Sequence, residues 1–422
     1  MKRYPSALAA IATAAAVALA GCSSPATAPA DPSGPVTLTV SAWNLESTPE
    51  FRALFDAFEA VHPNVTIQPV EILAEDYPEK VATMLAGGDT TDVLTMKNVT
   101  DYARYASRGQ LLDLTDLVGE LPTDKMAGLE PFDIGGKYAA VPYRQDFWLL
   151  YYNKKLFDAA GLPHPDQLTW AQYGELAKKL TSGTTADGQK VYGTYHHTWR
   201  SVVQAIAAAQ TGGDQLGGDY GFMKSQYELA LDLQRSGAAL DYGTARTQQV
   251  NYRSMFETGQ TAMLPMGTWY IASIKAAIAS GKSSVDWGVA PMPQLAPGAG
   301  TTTFGSPTAF AVNEKAKNAE VAKEFVRFAA GEQGAKAIAA IGVVPAFRSD
   351  AVTAAFTALP SDELSKKAFT EDKKIVLEMP VSETTSDVDT ILTEEHSLIM
   401  TGEKPVDDGL REAGDRVKNE VR

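Results

Sequence analysis

The chain has 422 residues, 45% hydrophobic and 21% charged, which is ordinary globular composition at a length sufficient for two or three domains. A formal net charge of −14 argues against nucleic acid as a partner. The single cysteine excludes an intramolecular disulfide and any cysteine-cluster metal site, so stability outside the cytoplasm has to come from core burial.

Lys2 and Arg3 precede an Ala-rich apolar run, Ala7 to Ala20, that closes in Leu19-Ala20-Gly21-Cys22. A basic start, a short apolar stretch and small residues before a cleavage point predict a secretory signal over residues 1–21. The run is too short for a stable spanning helix, and no later stretch is long and apolar enough to cross a bilayer. Leu-Ala-Gly-Cys resembles the bacterial lipobox. That resemblance implies cleavage before Cys22, lipid on its sulfur, and an exported protein anchored to the outer face of the bacterial cell membrane. The alternative is an ordinary signal peptide with an incidental cysteine. Loss of residues 1–21 leaves 35 cations against 51 carboxylates, a net charge of about −16. Residues 22–35 are rich in Ser, Pro and Ala and predict a flexible tether.

Val36, Leu38, Val40 and Ala42 alternate with polar residues and predict a strand that ends at Trp43 and Asn44. Ser47-Thr48-Pro49-Glu50 supplies an N-cap, an early proline and a capping-box glutamate. Phe51, Leu54, Phe55, Phe58 and Val61 follow at helical spacing, and His62-Pro63-Asn64 ends that helix. Val65 to Val70 is a second strand. Tyr77 to Ala86 is a helix stopped by Gly87-Gly88. Asp92 to Met96 is a third strand, and Val99 to Arg108 a helix closed by Gly109. This alternation predicts an α/β unit with a doubly wound parallel sheet. Ligands of such sheets sit beyond the carboxyl ends of the strands, which points to Trp43, Asn44, Glu46, Lys97 and Asn98.

Tyr138 to Val141 and Phe147 to Tyr152 read as two strands around a polar interruption. Pro142 cannot donate to a ladder and predicts the end of the first. Tyr143, Arg144 and Asp146 then lie at a crossing between two lobes, with strand alternation placing Tyr143 beside the other two in the gap. Arg144 and Asp146 suit bidentate pairing with hydroxyls, or a salt bridge that holds the crossing. Further on, Leu168-Thr169-Trp170 caps a helix to Leu180, and Val191 to Tyr195 is a strand before His196-His197-Thr198-Trp199-Arg200. Thr261 to Leu264 is a strand leading through Pro265-Met266-Gly267-Thr268-Trp269 into the helix Tyr270 to Ala279. Phe304-Gly305-Ser306 precedes the strand Thr308 to Val312, and Ala319 to Ala330 is a helix. His196 and His197 are adjacent on an extended segment and face opposite ways, which argues against a shared metal. No cofactor is expected. No hydrolase elbow, zinc-protease motif or Walker loop is present, so no enzyme is expected. A carboxylate pair of glycosidase type among 51 acids stays open as an alternative.

The order of these pieces resembles the extracellular solute-binding proteins of bacterial carbohydrate ABC transporters, the family that includes the maltose-binding protein. The matching blocks include Phe58-Glu59-Ala60-Val61-His62-Pro63, Ala86-Gly87-Gly88-Asp89 and Val141-Pro142-Tyr143. They continue through Leu150-Tyr151-Tyr152-Asn153-Lys154, Gly259-Gln260-Thr261-Ala262-Met263 and Gly267-Thr268-Trp269. The resemblance implies a two-lobed periplasmic-binding-protein-like fold (type II), each lobe a doubly wound sheet flanked by helices, joined by a hinge. Residues 36–143 and 292–330 form the first lobe in this reading, and 144–291 and 331–422 the second. It implies a monomer that holds a mono- or oligosaccharide between the lobes and docks on an ABC permease with its ATPase. The same fold binding a peptide or a polyamine is the alternative.

A sugar site needs flat aromatics for C–H faces and planar polar groups for hydroxyls. Trp269, after Gly267 at a helix start, is where the family places an aromatic. Trp43 and Trp199 are further candidates, each also readable as core. Phe304, Gly305 and Ser306 precede a strand returning to the first lobe, and Gly305 offers close backbone approach. Arg348 is a candidate from the second lobe. The resemblance also implies a stacking tryptophan near the C-terminal segment, yet Val381 to Thr390 holds no aromatic residue.

Overall fold

The alternating run does form a strand, β1 (Val36–Trp43), with Leu38, Val40 and Ala42 fully buried. The structure is a computed structural model that describes residues 34–421 apart from 182, 186 and 358–361. Cys22, the signal segment and all but the last two residues of the tether lie outside the described residues. Two further strands follow, β2 (Val65–Ile72) and β3 (Val93–Met96), both parallel to β1 and on either side of it. The helix Pro49–Val61 buries Phe51, Leu54, Phe55 and Phe58, as its spacing predicts. Val61, the last residue of that face, is instead 52% exposed, because it stands where the helix ends.

A small hairpin, β4 (Asp133–Ile134) and β5 (Lys137–Tyr138), leads into β6 (Ala140–Gln145). β6 runs through Pro142 rather than ending there. It is the edge strand of its sheet, and its register shifts between Thr308 and Ala309, so a residue without an N–H is accommodated. After two residues the chain continues as β7 (Trp148–Asn153) in a different sheet. That sheet is completed by β8 (Tyr192–Thr194), β9 (Thr261–Gly267) and β10 (Trp287–Ala290), in the order β10-β7-β9-β8. Thr169 caps the helix Trp170–Leu180 with a full capping box to Gln172, as expected. β11 (Thr301–Gly305) pairs with β13 (Lys373–Leu377), while β12 (Pro307–Val312) enters the first sheet, ordered β2-β1-β3-β12-β6.

The chain thus passes between the sheets at Asp146–Phe147 and again at Ser306. The two passages touch: the Asp146 N–H donates to the Ser306 carbonyl at 3.2 Å. The expected return to the first lobe at residue 292 is displaced to Ser306, because Thr303 donates to the Trp148 carbonyl and β11 packs with the second sheet. The expected departure at 331 is displaced past Phe347. The helix Glu332–Ala339 packs on Pro49–Val61, and Val344 and Ala346 bond to Gln145 and to Tyr143 and Ala127. The apolar face of that helix, Ala335, Ile338 and Ala339, is buried, and the helix packs on Pro49–Val61 and Ala319–Ala330.

Candidate functional site

Strand ends from both sheets converge on one cleft of about 570 Å³. Its first wall is built where β1 ends at Trp43, where the helix Pro49–Val61 starts, and where β3 gives way to Lys97 and Asn98. Arg144, near the end of β6, stands at the centre and is buried. Its Nη1 donates to Glu50 Oε2 at 2.6 Å, and its Nε lies 3.0 Å from both Asp146 Oδ2 and Thr308 Oγ1. Glu50 Oε1 accepts from the Tyr143 hydroxyl at 2.6 Å. Two carboxylates therefore share one guanidinium away from water. Burial opposes the charge on Arg144, but Asp146 and Glu50 outweigh it and hold the guanidinium protonated. Asp146 carries the cost: burial pushes its carboxyl up to about 6 despite Arg144. Lys97 donates to the Ala74 carbonyl at 2.6 Å and lies 5.6 Å from the Trp43 ring centre; burial lowers it to about 8. The Arg144 guanidinium is 5.8 Å from the same ring, so cations lie over Trp43.

The second wall is aromatic. Trp148, Trp199 and Trp269 meet edge-on or tilted, at 5.6 Å (148–269), 6.1 Å (199–269) and 6.4 Å (148–199) between ring centres. Tyr252 adds a fourth ring 5.9 Å from Trp199, and His197 backs Trp199 at 4.4 Å. His196 bonds instead to the Tyr173 hydroxyl at 2.8 Å, and burial lowers both histidines to about 4, so both rings are neutral. Beyond the rings the wall turns polar. Arg200 pairs with Asp389 and donates to Gln204 and Gln215 at 3.0 and 3.2 Å. Ser201 donates to Glu378, whose carboxyl burial pushes up.

Of the residues singled out by sequence, Trp43, Asn44, Lys97, Asn98, Arg144, Asp146, Trp199, Trp269 and Ser306 line the cleft. Six do not. Glu46 points to solvent and pairs with Lys282 at 3.1 Å. Tyr143 is fully buried and stacks on Phe310 at 4.5 Å, since neighbours along a strand face opposite sides and Arg144 takes the cleft side. Phe304 is a core ring stacked on Trp148 at 4.8 Å. Gly305 admits protein rather than ligand: a Cβ there would stand 2.0 Å from the Asp146 carbonyl oxygen. Gly267 leaves room for the Trp269 ring, whose Cζ3 would be 1.9 Å from a Cβ at that position. Arg348 is exposed and belongs with the first unit, its N–H bonded to the Lys125 carbonyl at 2.7 Å.

Sequence reasoning missed Glu50, Trp148, Arg200, Tyr252, Glu378 and Asp389. Glu50 was legible only as a capping residue; in the structure no side chain caps its helix, and the carboxylate turns to Arg144. Where the resemblance implied a C-terminal tryptophan, Ser386, Asp389 and Thr390 line the cleft with hydroxyls and a carboxylate.

Two α/β units joined by short crossings, with a mixed aromatic and polar cleft at the strand ends of both, define a two-lobed binding protein of the periplasmic-binding-protein fold. The family profile of bacterial extracellular solute-binding proteins matches residues 42–336, and the chain belongs to that family of solute binders. A crystal structure of a sugar transporter from Rhizobium etli, in an open conformation, is 36% identical and aligns over 91% of this chain and 99% of its own, with a TM-score of 0.74. A lipoprotein of Streptomyces antibioticus is 28% identical over 334 residues, 74% of this chain and 69% of that one. The mannitol-binding protein of Pseudomonas aeruginosa is 28% identical over 150 residues, a match spanning 35% of this chain and 34% of that protein.

Proposed function

We propose that this protein binds a neutral carbohydrate, a polyol or a short saccharide, in the cleft and delivers it to an ABC permease for import. The observation that carries the reading is the facing of an aromatic corner, Trp148, Trp199, Trp269 and Tyr252, against a polar wall in which Arg144 is held by Glu50 and Asp146 and Arg200 by Asp389. Rings cover C–H faces; oriented polar groups pair with hydroxyls. Three of the cleft's carboxylates, Glu50, Asp146 and Asp389, are already engaged by Arg144 and Arg200 and so are not free for a polyamine. The sugar transporter and the mannitol-binding protein among its relatives favour the same class of ligand. In this reading the two sheet units act as lobes that turn about Asp146–Phe147 and Ser306. Lipid on Cys22 holds the protein at the outer face of the cell membrane, as the Streptomyces lipoprotein among its relatives favours.

The test is a thermal-shift screen of the mature protein against hexoses, alditols, neutral di- and trisaccharides, spermidine and short peptides, with calorimetry on every hit. Stabilisation by members of the sugar and alditol set is expected. Binding of spermidine or a peptide, with no response to any sugar, refutes the proposal.

A further inference from the structure

The Asp146 carboxylate stands in the cleft, yet its oxygens are already engaged inside the protein. Oδ2 faces Arg144 Nε at 3.0 Å, and Oδ1 accepts from the Thr268 hydroxyl at 2.8 Å. Thr268 is locked further, since its N–H donates to the Phe147 carbonyl at 3.0 Å and its Oγ1 accepts from the Phe147 N–H at 3.3 Å. Asp146 is 2% exposed. It therefore holds the residue that precedes Trp269, at the start of the helix Tyr270–Ala279, from the crossing between the sheets rather than from the helix's own chain. The residue that this contact orients is Trp269, next in the chain and at the helix start. The ring of Trp269 is confined from the other side by Gly267, where a Cβ would overlap Cζ3 at 1.9 Å.

We infer that Asp146 is a positioning residue, which sets the Trp269 ring from the inter-sheet crossing by holding Thr268, and does not itself contact the sugar. The inference rests on the proposed sugar reading for the role of Trp269. The mechanical link between the two residues does not. Through Arg144, Asp146 also ties Trp269 on one wall to Glu50 and Thr308 on the other. The aromatic platform is thereby referenced to the first sheet as well as to its own strand.

Two measurements test it, one without sugar. Protein labelled with 5-fluorotryptophan gives six fluorine resonances for its six tryptophans, and Trp269→Phe assigns the one of interest. Asp146→Ala and Thr268→Val each move or broaden the Trp269 signal, while Asp146→Asn, which keeps an acceptor oxygen, leaves it in place. An unmoved Trp269 resonance in folded Asp146→Ala or Thr268→Val overturns the inference. The second measurement is calorimetry with the panel sugar that raises the melting temperature most. Asp146→Ala weakens its binding about tenfold in the parent but less than about twofold in Trp269→Ala, the signature of residues acting through one another. Equal loss in both backgrounds means that Asp146 touches the sugar directly, and overturns it. Should no sugar bind the parent, the sugar reading fails, and the fluorine spectra still decide the link between Asp146 and Trp269.

Discussion

Asp146→Asn should make the protein more stable at neutral pH, although it removes a partner of a buried ion pair. Burial raises the folded Asp146 carboxyl to about 6, against about 3.9 for an unperturbed aspartate, and a gap of about two units is worth about 3 kcal/mol. Below the unfolded value both states hold the proton and Asp146 costs nothing. Between about pH 4 and 6 the folded chain still binds the proton that the unfolded chain has released. Stability falls as pH rises through that window and stays lower above it. The cause is composition: Glu50 and Asp146 share the single guanidinium of Arg144, so one carboxylate is buried without full compensation. Asparagine mimics the protonated form and removes the cost. It loses an acceptor toward Arg144 Nε, worth about 1 kcal/mol, though Thr308 Oγ1 still accepts from that nitrogen. The net expectation is a gain of about 2 kcal/mol at pH 8 and no difference near pH 4.5. Urea denaturation of parent and variant at the two pH values reads it. A variant less stable at pH 8, or a difference that does not change with pH, refutes the electrostatic account of the Glu50–Arg144–Asp146 group.

Trp269→Ala should weaken sugar binding about thirtyfold, about 2 kcal/mol for a lost stacking contact and its burial, while unfolding stays cooperative; calorimetry that finds unchanged affinity returns Trp269 to a structural role. Tyr143→Phe should do the reverse, costing about 2 kcal/mol in urea denaturation because Glu50 loses a buried charge-assisted hydrogen bond; a large loss of affinity in calorimetry would show that Tyr143 reaches the ligand after all. Small-angle scattering should show a smaller radius of gyration with bound sugar than without, since a ligand that touches both walls favours the closed arrangement; a constant radius with sugar demonstrably bound rules out rotation about Asp146–Phe147 and Ser306. Cys22→Ser should shift the expressed protein from the detergent phase to the aqueous phase, and an aqueous parent cleaved elsewhere would remove the lipid anchor.

The elements and their class were legible in the chain, because burial periodicity and end signals are local. Leu38, Val40 and Ala42 alternate into the core as a strand must, Phe51, Leu54, Phe55 and Phe58 recur as a helix face must, and Thr169 caps with Gln172 three residues on. The matched blocks carried the family for the same reason: they are runs of neighbouring residues. What neighbouring residues do not encode is the side from which a distant segment arrives. Glu50 carries a capping pattern, and only the approach of β6 turns it into the counterion of Arg144, 94 positions away. Gly305 and Gly267 advertise space, but whether a ligand, a crossing strand or a folded-back ring fills it is set by Asp146 and Trp269 in three dimensions. Tyr143 and Arg144 differ by one position and by a face of the sheet, so one serves the core and the other the cleft. Sequence by itself determined the parts and their kinship; the packing of two sheets across two crossings decided which side chains face the gap, because burial and pairing of charges depend on groups brought together from far apart in the chain.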